Sequence, residues 1–187
     1  MTTVPIEVSA RHAHLSQSDW ARLFGSDTPT VDHQLSQTPQ FLARQRVTLV
    51  GPAGRLERVG VVGPFRPYTQ VELASSDARQ LGLTPPLSSS GQLDAAAKIT
   101  IIGPAGSISV AAAIHQQRHL HMPTKQAAEA GWRDGQEVTV RVDDPRGGVF
   151  DHVIVRVAEE SVWRMHVDTD EANAFGITQG TYGTVVR

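Results

Sequence analysis

Two short segments of the chain repeat a histidine pair in the same local setting. They are Arg11-His-Ala-His-Leu-Ser16 and Arg118-His-Leu-His-Met-Pro123. In an extended strand, residues i and i+2 point to the same side, so both imidazoles of each pair project together. Imidazole is a ligand for zinc, copper, nickel or iron. Two copies of one pattern favour a metal site, with His12, His14, His119 and His121 as ligands, over incidental histidines.

A carboxylate and an arginine near residue 70 are the best candidates to complete such a site. The chain has no cysteine, so thiolate metal ligands and disulfides are excluded. Histidine ligands with open water positions are more typical of catalytic than of structural zinc. Glu72 is the preferred carboxylate, and Arg66 is suited to clamp an anion because guanidinium matches phosphate bidentately. The alternative for Arg66 and Glu72 is a surface ion pair.

The remaining histidines and two further arginines are less clearly assigned. His166 lies in an alternating segment and is either a ligand or a buried histidine bonded to a carbonyl. Arg11 and Arg118 either meet an anion or brace the neighbouring histidines. Three histidines without patterning are predicted to be solvated or structural: His33, His115 and His152.

Composition restricts the class of protein. The 187 residues include 17 basic and 19 acidic side chains, for a formal net charge of -2. This balance argues against a non-specific nucleic-acid binder, which is normally basic. No apolar run approaches the length that spans a bilayer, and no secretory signal is visible. We therefore expect a soluble cytoplasmic protein without membrane or nucleic-acid partners.

Short β-branched runs interrupted by glycine and proline dominate the chain, which predicts a mostly β fold, a sandwich or a barrel. Helices are predicted to be few and short, each ending at a glycine. Their expected ranges are 16–23, 75–81, 124–130 and 168–175.

An internal repeat is also visible. Val47-Thr-Leu-Val-Gly-Pro-Ala-Gly54 aligns with Ile99-Thr-Ile-Ile-Gly-Pro-Ala-Gly106, but the spacing differs from that of the two histidine segments. Strands are therefore expected to be exchanged between two β units. The polar residues 88–91 are predicted to be a linker or exposed loop. The expected organisation is 1–30 as an N-terminal strand and histidine segment joining the C-terminal barrel, 31–90 as a first barrel, and 91–187 as a second.

From Val4 to Val186 the sequence resembles the PduL-type phosphotransacylases, also called phosphate propanoyltransferases. The resemblance is carried by Arg-His-x-His-Leu-Ser at 11–16, Leu-Ser-Gln at 35–37, Val-Thr-Leu-Val-Gly-Pro at 47–52, Gly-Pro-x-Arg-x-x-Thr-Gln-Val-Glu at 63–72, Ser-Gly at 90–91, Arg-His-x-His-Met at 118–122 and Met-His-Val-Asp-Thr-Asp-Glu-Ala-Asn at 165–173.

The resemblance implies two closed β-barrels with short helical caps and strands exchanged between them. It implies two zinc ions per chain, one on His12, His14 and Glu72 that the coenzyme A sulfur can meet, the other on His119, His121 and His166 plus water. The implied reaction converts a short acyl-CoA and phosphate into acyl phosphate and CoA, commonly in a homodimer. Arg66 is the implied phosphate ligand and catalytic residue, and the substrate-binding candidates are Arg66, Arg11, Arg118 and Gln70.

The sequence departs from the usual family pattern at two positions. Ala10 replaces a usual asparagine and Pro39 a usual glycine, and neither is a proposed ligand. A bacterial microcompartment is the alternative to a cytoplasmic location, although no N-terminal targeting extension is seen. We expect direct attack by phosphate. The alternatives are a dinuclear-zinc thioester or phosphoester hydrolase, which would not need phosphate, and a non-enzymatic metal-stabilised β module.

Overall fold

A computed structural model describes residues 2–186, which form fourteen strands, β1 to β14, and four short helices, α1 to α4. The chain divides into two compact units. We call residues 11–116 the central barrel, and residues 2–10 together with 117–186 the terminal barrel. Among the described residues, no helix has the length and apolar character needed to cross a membrane.

The central barrel is closed by six strands. β4 pairs with β5, β5 with β2, β2 with β6, β6 with β9, β9 with β8, and β8 returns to β4. Two short strands, β3 and β7, extend the sheet beside β4 and β9. The elements are β2 (His12–His14), α1 (Gln17–Phe24), β3 (Val31–Gln34), β4 (Phe41–Val50), β5 (Arg55–Gly63), β6 (Gln70–Leu73), α2 (Ser75–Leu81), β7 (Leu87–Ser88), β8 (Ala97–Ile102) and β9 (Ser107–Gln116).

The terminal barrel is also closed by six strands, in the order β1-β13-β10-β12-β11-β14. Its first strand is the N-terminal strand of the chain, which pairs parallel with β13 and antiparallel with β14. The elements are β1 (Thr2–Ser9), β10 (His119–Pro123), α3 (Thr124–Ala130), β11 (Glu137–Val142), β12 (Gly148–Ala158), β13 (Arg164–Asp168), α4 (Thr169–Phe175) and β14 (Tyr182–Val186).

The two barrels share one strand topology. Going around each barrel, β4, β5, β2, β6, β9 and β8 correspond to β11, β12, β10, β13, β1 and β14, with the same parallel and antiparallel pairings. In chain order the repeat is therefore tandem, β1 to β8 followed by β9 to β14, with the first strand of each repeat placed in the other barrel. Two closed β-barrels with short helical caps and exchanged strands are confirmed.

The compact units do not follow the predicted boundaries. The first break falls between residues 10 and 11, so β1 and the first histidine segment lie in different barrels. The second break falls between residues 116 and 117, because β8 and β9 pair with strands of the central barrel. The predicted linker at 88–91 lies inside the central barrel, where Ser88 pairs with Gln116.

All four helices form where the sequence predicts them, and side-chain caps begin α1 and α4. The hydroxyl of Ser16 accepts a hydrogen bond from the N–H of Asp19 at 3.2 Å, and this cap begins α1. A carboxylate oxygen of Asp168 accepts from the N–H of Glu171 at 2.8 Å at the start of α4. All four helices end at a glycine in the left-handed region, namely Gly25, Gly82, Gly131 and Gly176.

The repeated Gly-Pro-Ala-Gly turns hold helices onto the central barrel. The N–H of Ala53 donates to the carbonyl of Leu81 at 3.0 Å, at the end of α2. A Cβ atom on Gly51 would lie 2.3 Å from that carbonyl oxygen, so only glycine permits this approach. The second turn repeats the arrangement, with Gly103 against the carbonyl of Leu23 in α1. The turns therefore satisfy carbonyls that the helix ends leave without partners.

Each barrel has a hydrophobic core of its own. In each, the alternation of the strands directs one set of apolar side chains inward. The central core includes Leu15, Trp20, Leu23, Leu49, Leu73, Leu81, Ile99 and Ile101. The terminal core includes Leu120, Phe150, Val153, Val155, Met165 and Val167.

Candidate metal centres

The central barrel brings His12, His14 and Glu72 together. The register of antiparallel β2 and β6 sets His12 opposite Glu72. The next pair in this register, Ala13 and Val71, faces the core. The Nε2 atoms of the two histidines are 3.1 Å apart. Oε2 of Glu72 lies 3.4 Å from His12 Nε2, and its Oε1 lies 3.6 Å from His14 Nε2. His12, His14 and Glu72 therefore each direct one potential ligand atom toward the same point.

The hydrogen bonds of this cluster leave lone pairs directed inward. Nδ1 of His14 lies 3.1 Å from the carbonyl oxygen of Val62. A carbonyl only accepts, so Nδ1 carries the hydrogen and Nε2 of the neutral ring carries the lone pair. Glu72 is 3 % exposed, and its Oε2 accepts no hydrogen bond from residues 2–186. A buried carboxylate oxygen in this state needs a cation or a donor.

The separations fit a metal ion. With metal–nitrogen bonds of about 2.0–2.1 Å, ligand atoms of a tetrahedral site lie roughly 3.3 Å apart. The three measured separations are 3.1, 3.4 and 3.6 Å. The donor set of two imidazoles and one carboxylate is one that zinc accepts in catalytic sites.

The terminal barrel builds an equivalent cluster from His119, His121 and His166. The register of antiparallel β10 and β13 sets His119 opposite His166, with Leu120 and Met165 facing the core. Nε2 of His119 lies 3.0 Å from Nε2 of His121. One ligand atom from each of the three rings lies within 4.8 Å of the others. The three histidines that the resemblance implies as ligands therefore lie close together in the structure.

Burial favours the neutral form of two histidines of this second cluster. It lowers the pKa of His119 well below the ordinary value, and the neighbouring His166, His121 and Arg156 lower it further. Burial, followed by the charges of His166 and Arg156, lowers the pKa of His121 to about 3. The Nδ1–H of His119 donates to the carbonyl of Gln117 at 3.0 Å, so its Nε2 lone pair faces His121. Neutral imidazoles are the form that binds metal.

Arg66 lies in a hydrogen-bonded chain that ends at Glu72. Nη1 of Arg66 donates to Oγ of Ser90 at 2.6 Å. Nε2 of Gln70 donates to the same Oγ at 2.7 Å and to Oε1 of Glu72 at 2.5 Å. The N–H of Gly91 donates to Oε1 of Gln70 at 2.7 Å. The surface ion pair considered for Arg66 and Glu72 is not formed, because two side chains stand between them.

Gln70 was expected to bind substrate, but its side chain is 0 % exposed. All its polar contacts within the described chain are with Glu72, Ser90 and Gly91. This position favours a role in holding Glu72 and Ser90 over direct contact with a substrate.

Arg11 and Arg118 occupy corresponding places in the two barrels. Nη1 of Arg11 lies 2.9 Å from Oδ1 of Asp77, the third residue of α2. Nε of Arg118 lies 2.8 Å from Oε1 of Glu171, the third residue of α4. These ion pairs favour the bracing role over anion binding, because each guanidinium is already engaged with a carboxylate.

The other histidines do not join either cluster. His33 is exposed and lies 3.1 Å from a carboxylate oxygen of Asp32. His152 is exposed and lies 2.7 Å from a carboxylate oxygen of Glu137. His115 lies in β9, paired with β6 and β7.

Sequence reasoning missed two polar side chains beside the clusters. Oε2 of Glu7 lies 3.3 Å from Nε of Arg164 and 3.8 Å from Nε2 of His166. Because Ile6 is buried, the alternation of β1 could have placed Glu7 on the outer face of its barrel. The sequence could not show that β1 pairs with β13, which brings Glu7 beside His166. Ser90 was missed because its segment has the composition of a linker.

Two barrels that each carry a histidine-rich cluster define a candidate two-centre metalloprotein, and comparison with known proteins supplies the family. The family model for phosphate propanoyltransferase matches residues 5–178. The chain is 47 % identical to the phosphate propanoyltransferase of Rhodopseudomonas palustris over 91 % of this chain and 76 % of that protein.

Two further relatives agree. The phosphate propanoyltransferase of Shewanella putrefaciens is 44 % identical over 95 % of this chain and 85 % of its own length. The phosphate propanoyltransferase of Rhodobacter capsulatus is 44 % identical over 93 % of this chain and 82 % of its own length. The chain belongs to the phosphate propanoyltransferase family, whose members are acyltransferase enzymes.

The low pKa values predict how the metal-free protein responds to acid. Between pH 6.5 and about 3, the imidazole of His121 is protonated in the unfolded chain but not in the folded one. The free energy of unfolding should therefore be highest above pH 6.5 and decrease as the pH falls through this range. Urea denaturation after chelation, from about pH 7.5 to about pH 4.5, measures the slope. His121→Asn should reduce this slope without abolishing it, because the pKa of His119 is lowered as well, and an unchanged slope would contradict the assignment.

Proposed function

We propose that the protein transfers a short acyl group, acetyl or propanoyl, between coenzyme A and inorganic phosphate. The observation that carries this proposal is the chain of contacts from Arg66 through Ser90 and Gln70 to Glu72. It joins a guanidinium suited to phosphate with a histidine–carboxylate cluster suited to a metal ion. The family supports a phosphate acyltransferase activity.

We propose further that each cluster binds one zinc ion. His12, His14 and Glu72 would hold one ion with a position open to the sulfur of coenzyme A. His119, His121 and His166 would hold the other, together with water. The inward lone pairs and the ligand separations support both sites. Bound zinc supplies Lewis-acid charge for a thioester carbonyl and for a departing thiolate.

The side chains of the central barrel then serve the phosphate. Arg66 binds and orients phosphate, which brings one of its oxygens toward the thioester carbonyl. That oxygen attacks the carbonyl carbon, the carbon–sulfur bond breaks, and acyl phosphate and CoA thiolate result. The guanidinium stabilises the negative charge that develops, an effect typically worth about 3–4 kcal/mol for one donor. No acyl-enzyme is needed in this transfer.

The homodimer stays a prediction from the family resemblance, and the location stays a prediction from the sequence. A homodimer and a cytoplasmic location are expected. Acyl-CoA and inorganic phosphate are the expected small-molecule partners.

The decisive test is phosphate-dependent release of thiol from acetyl-CoA and propanoyl-CoA. We expect free CoA and acyl phosphate only when phosphate is present, and loss of both products after chelation, with recovery on adding zinc. Release of CoA and free acid without phosphate would instead indicate the hydrolase.

Substitution of single ligands tests the two zinc sites separately. Glu72→Gln and His166→Asn should each lower the bound zinc from about two ions per chain to about one, because each removes one ligand of one cluster. Metal analysis of the purified proteins measures this. His33→Asn is the matched control and should retain the wild-type content. If chelation unfolds the protein instead of only inactivating it, the non-enzymatic metal-stabilised module is favoured.

Replacement of the anion-binding arginine separates catalysis from metal binding. Arg66→Ala should lower turnover by about a hundredfold to a thousandfold because it removes charge from the reacting anion. Zinc content should stay at the wild-type value. Arg79→Ala, which changes an exposed arginine of α2 in the same barrel, should leave both quantities unchanged. Loss of zinc in Arg66→Ala would make the arginine structural.

A further inference from the structure

We propose that Ser90 contacts the substrate directly, by donating its hydroxyl hydrogen to an oxygen of the phosphate that Arg66 binds. This inference rests on the proposed function. The supporting observation is the direction of each hydrogen bond around Ser90.

The amide of Gln70 has only one orientation that satisfies its neighbours. Its oxygen accepts the N–H of Gly91 at 2.7 Å, and its nitrogen lies 2.5 Å from Oε1 of Glu72. The reverse orientation would set an oxygen against a carboxylate and an NH₂ group against an N–H. The group facing Ser90 at 2.7 Å is therefore the NH₂, which can donate but not accept.

The oxygen of Ser90 consequently receives two hydrogen bonds. One comes from Gln70 and the other from Arg66, whose guanidinium has no acceptor. A hydroxyl has two acceptor lone pairs and one hydrogen to donate. Both lone pairs are used, so the hydrogen must point away from both donors. No group among residues 2–186 accepts it.

The turn that carries Ser90 holds this hydroxyl in place. The N–H of Gln92 donates to the carbonyl of Ser89 at 3.0 Å, which makes Ser90 and Gly91 the central residues of a turn. Gly91 has φ +96°, where other residues are strained. A Cβ atom on Gly91 would lie 3.1 Å from Oη of Tyr68. The position of the hydroxyl is thus set by the backbone of residues 89–92.

A phosphate oxygen is the acceptor that suits this donor. The guanidinium of Arg66 makes no other hydrogen bond to a described residue beyond the one to Ser90, so its remaining N–H groups are also available. Phosphate offers several acceptor oxygens and matches a guanidinium bidentately. The donors that bond to the Ser90 oxygen, one of them charged, polarise its O–H and strengthen the bond that it donates. Arg66 and Ser90 together form a two-residue anion clamp.

The first experiment compares Ser90→Ala with Ser90→Thr. Ser90→Ala should raise the KM for phosphate about tenfold, because one hydrogen bond to a charged acceptor is lost. The KM for acyl-CoA and the zinc content should not change. Ser90→Thr keeps the hydroxyl and should retain a KM within about threefold of wild type. An unchanged KM for phosphate in Ser90→Ala would overturn the proposal.

A double-mutant comparison asks whether Ser90 acts only through Arg66. Inorganic phosphate is titrated calorimetrically into the zinc-loaded Arg66→Ala and Arg66→Ala/Ser90→Ala proteins. Direct contact predicts a further severalfold weakening of phosphate binding in the double variant. Equal affinities would show that Ser90 only positions the arginine, and would overturn the proposal.

These outcomes are distinct from failure of the proposed function. If the wild-type protein releases no thiol with phosphate, the acyl transfer is wrong, whereas the calorimetric comparison still measures phosphate binding by Ser90. If thiol release depends on phosphate but Ser90→Ala behaves like wild type, only the inference about Ser90 fails.

Discussion

The antiparallel register between a His-x-His strand and its neighbour is the constraint on which both clusters depend. It sets His12 opposite Glu72 in one barrel and His119 opposite His166 in the other. A shift of one residue would turn the ligands into the core and expose Ala13 or Leu120. Burial of polar groups without partners costs several kcal/mol, so the core packing that stabilises each barrel also fixes its ligand geometry.

The same topology produces two centres of different charge. The central cluster contains a carboxylate, whereas the terminal cluster contains three imidazoles, of which burial holds His119 and His121 neutral. The two ligand sets therefore differ by one carboxylate, which binds a cation in its negatively charged form. An identical cation would retain more of its charge in the terminal cluster, and so would attract an anionic or polarisable ligand more strongly there.

Local sequence patterns predicted the parts of the protein that depend on local structure. Strand alternation paired His12 with His14, and cap residues such as Ser16 marked the helix ends. The grouping of Glu72 with His12 and of His166 with His119 came from the family resemblance, because these partners lie 60 and 47 residues apart in the chain. The N-terminal strand was expected to join the C-terminal barrel, but its particular partners could not be identified, since β13 and β14 lie more than 150 residues further along. Ser90 was assigned to a linker because composition does not reveal that a turn directs its hydroxyl toward Arg66.

The placement of β1 and β9 has a consequence for how such a chain could arise. A single repeat, β1 to β8 without its counterpart, would lack the strand that closes its own barrel and would present open sheet edges. Two separate copies could close both barrels by exchanging first strands, as in a domain-swapped dimer. Fusion of the copies into one polypeptide makes that trade permanent and intramolecular. It would also free the two halves from identity, and the matching positions do differ, with Glu72 in one barrel and His166 in the other.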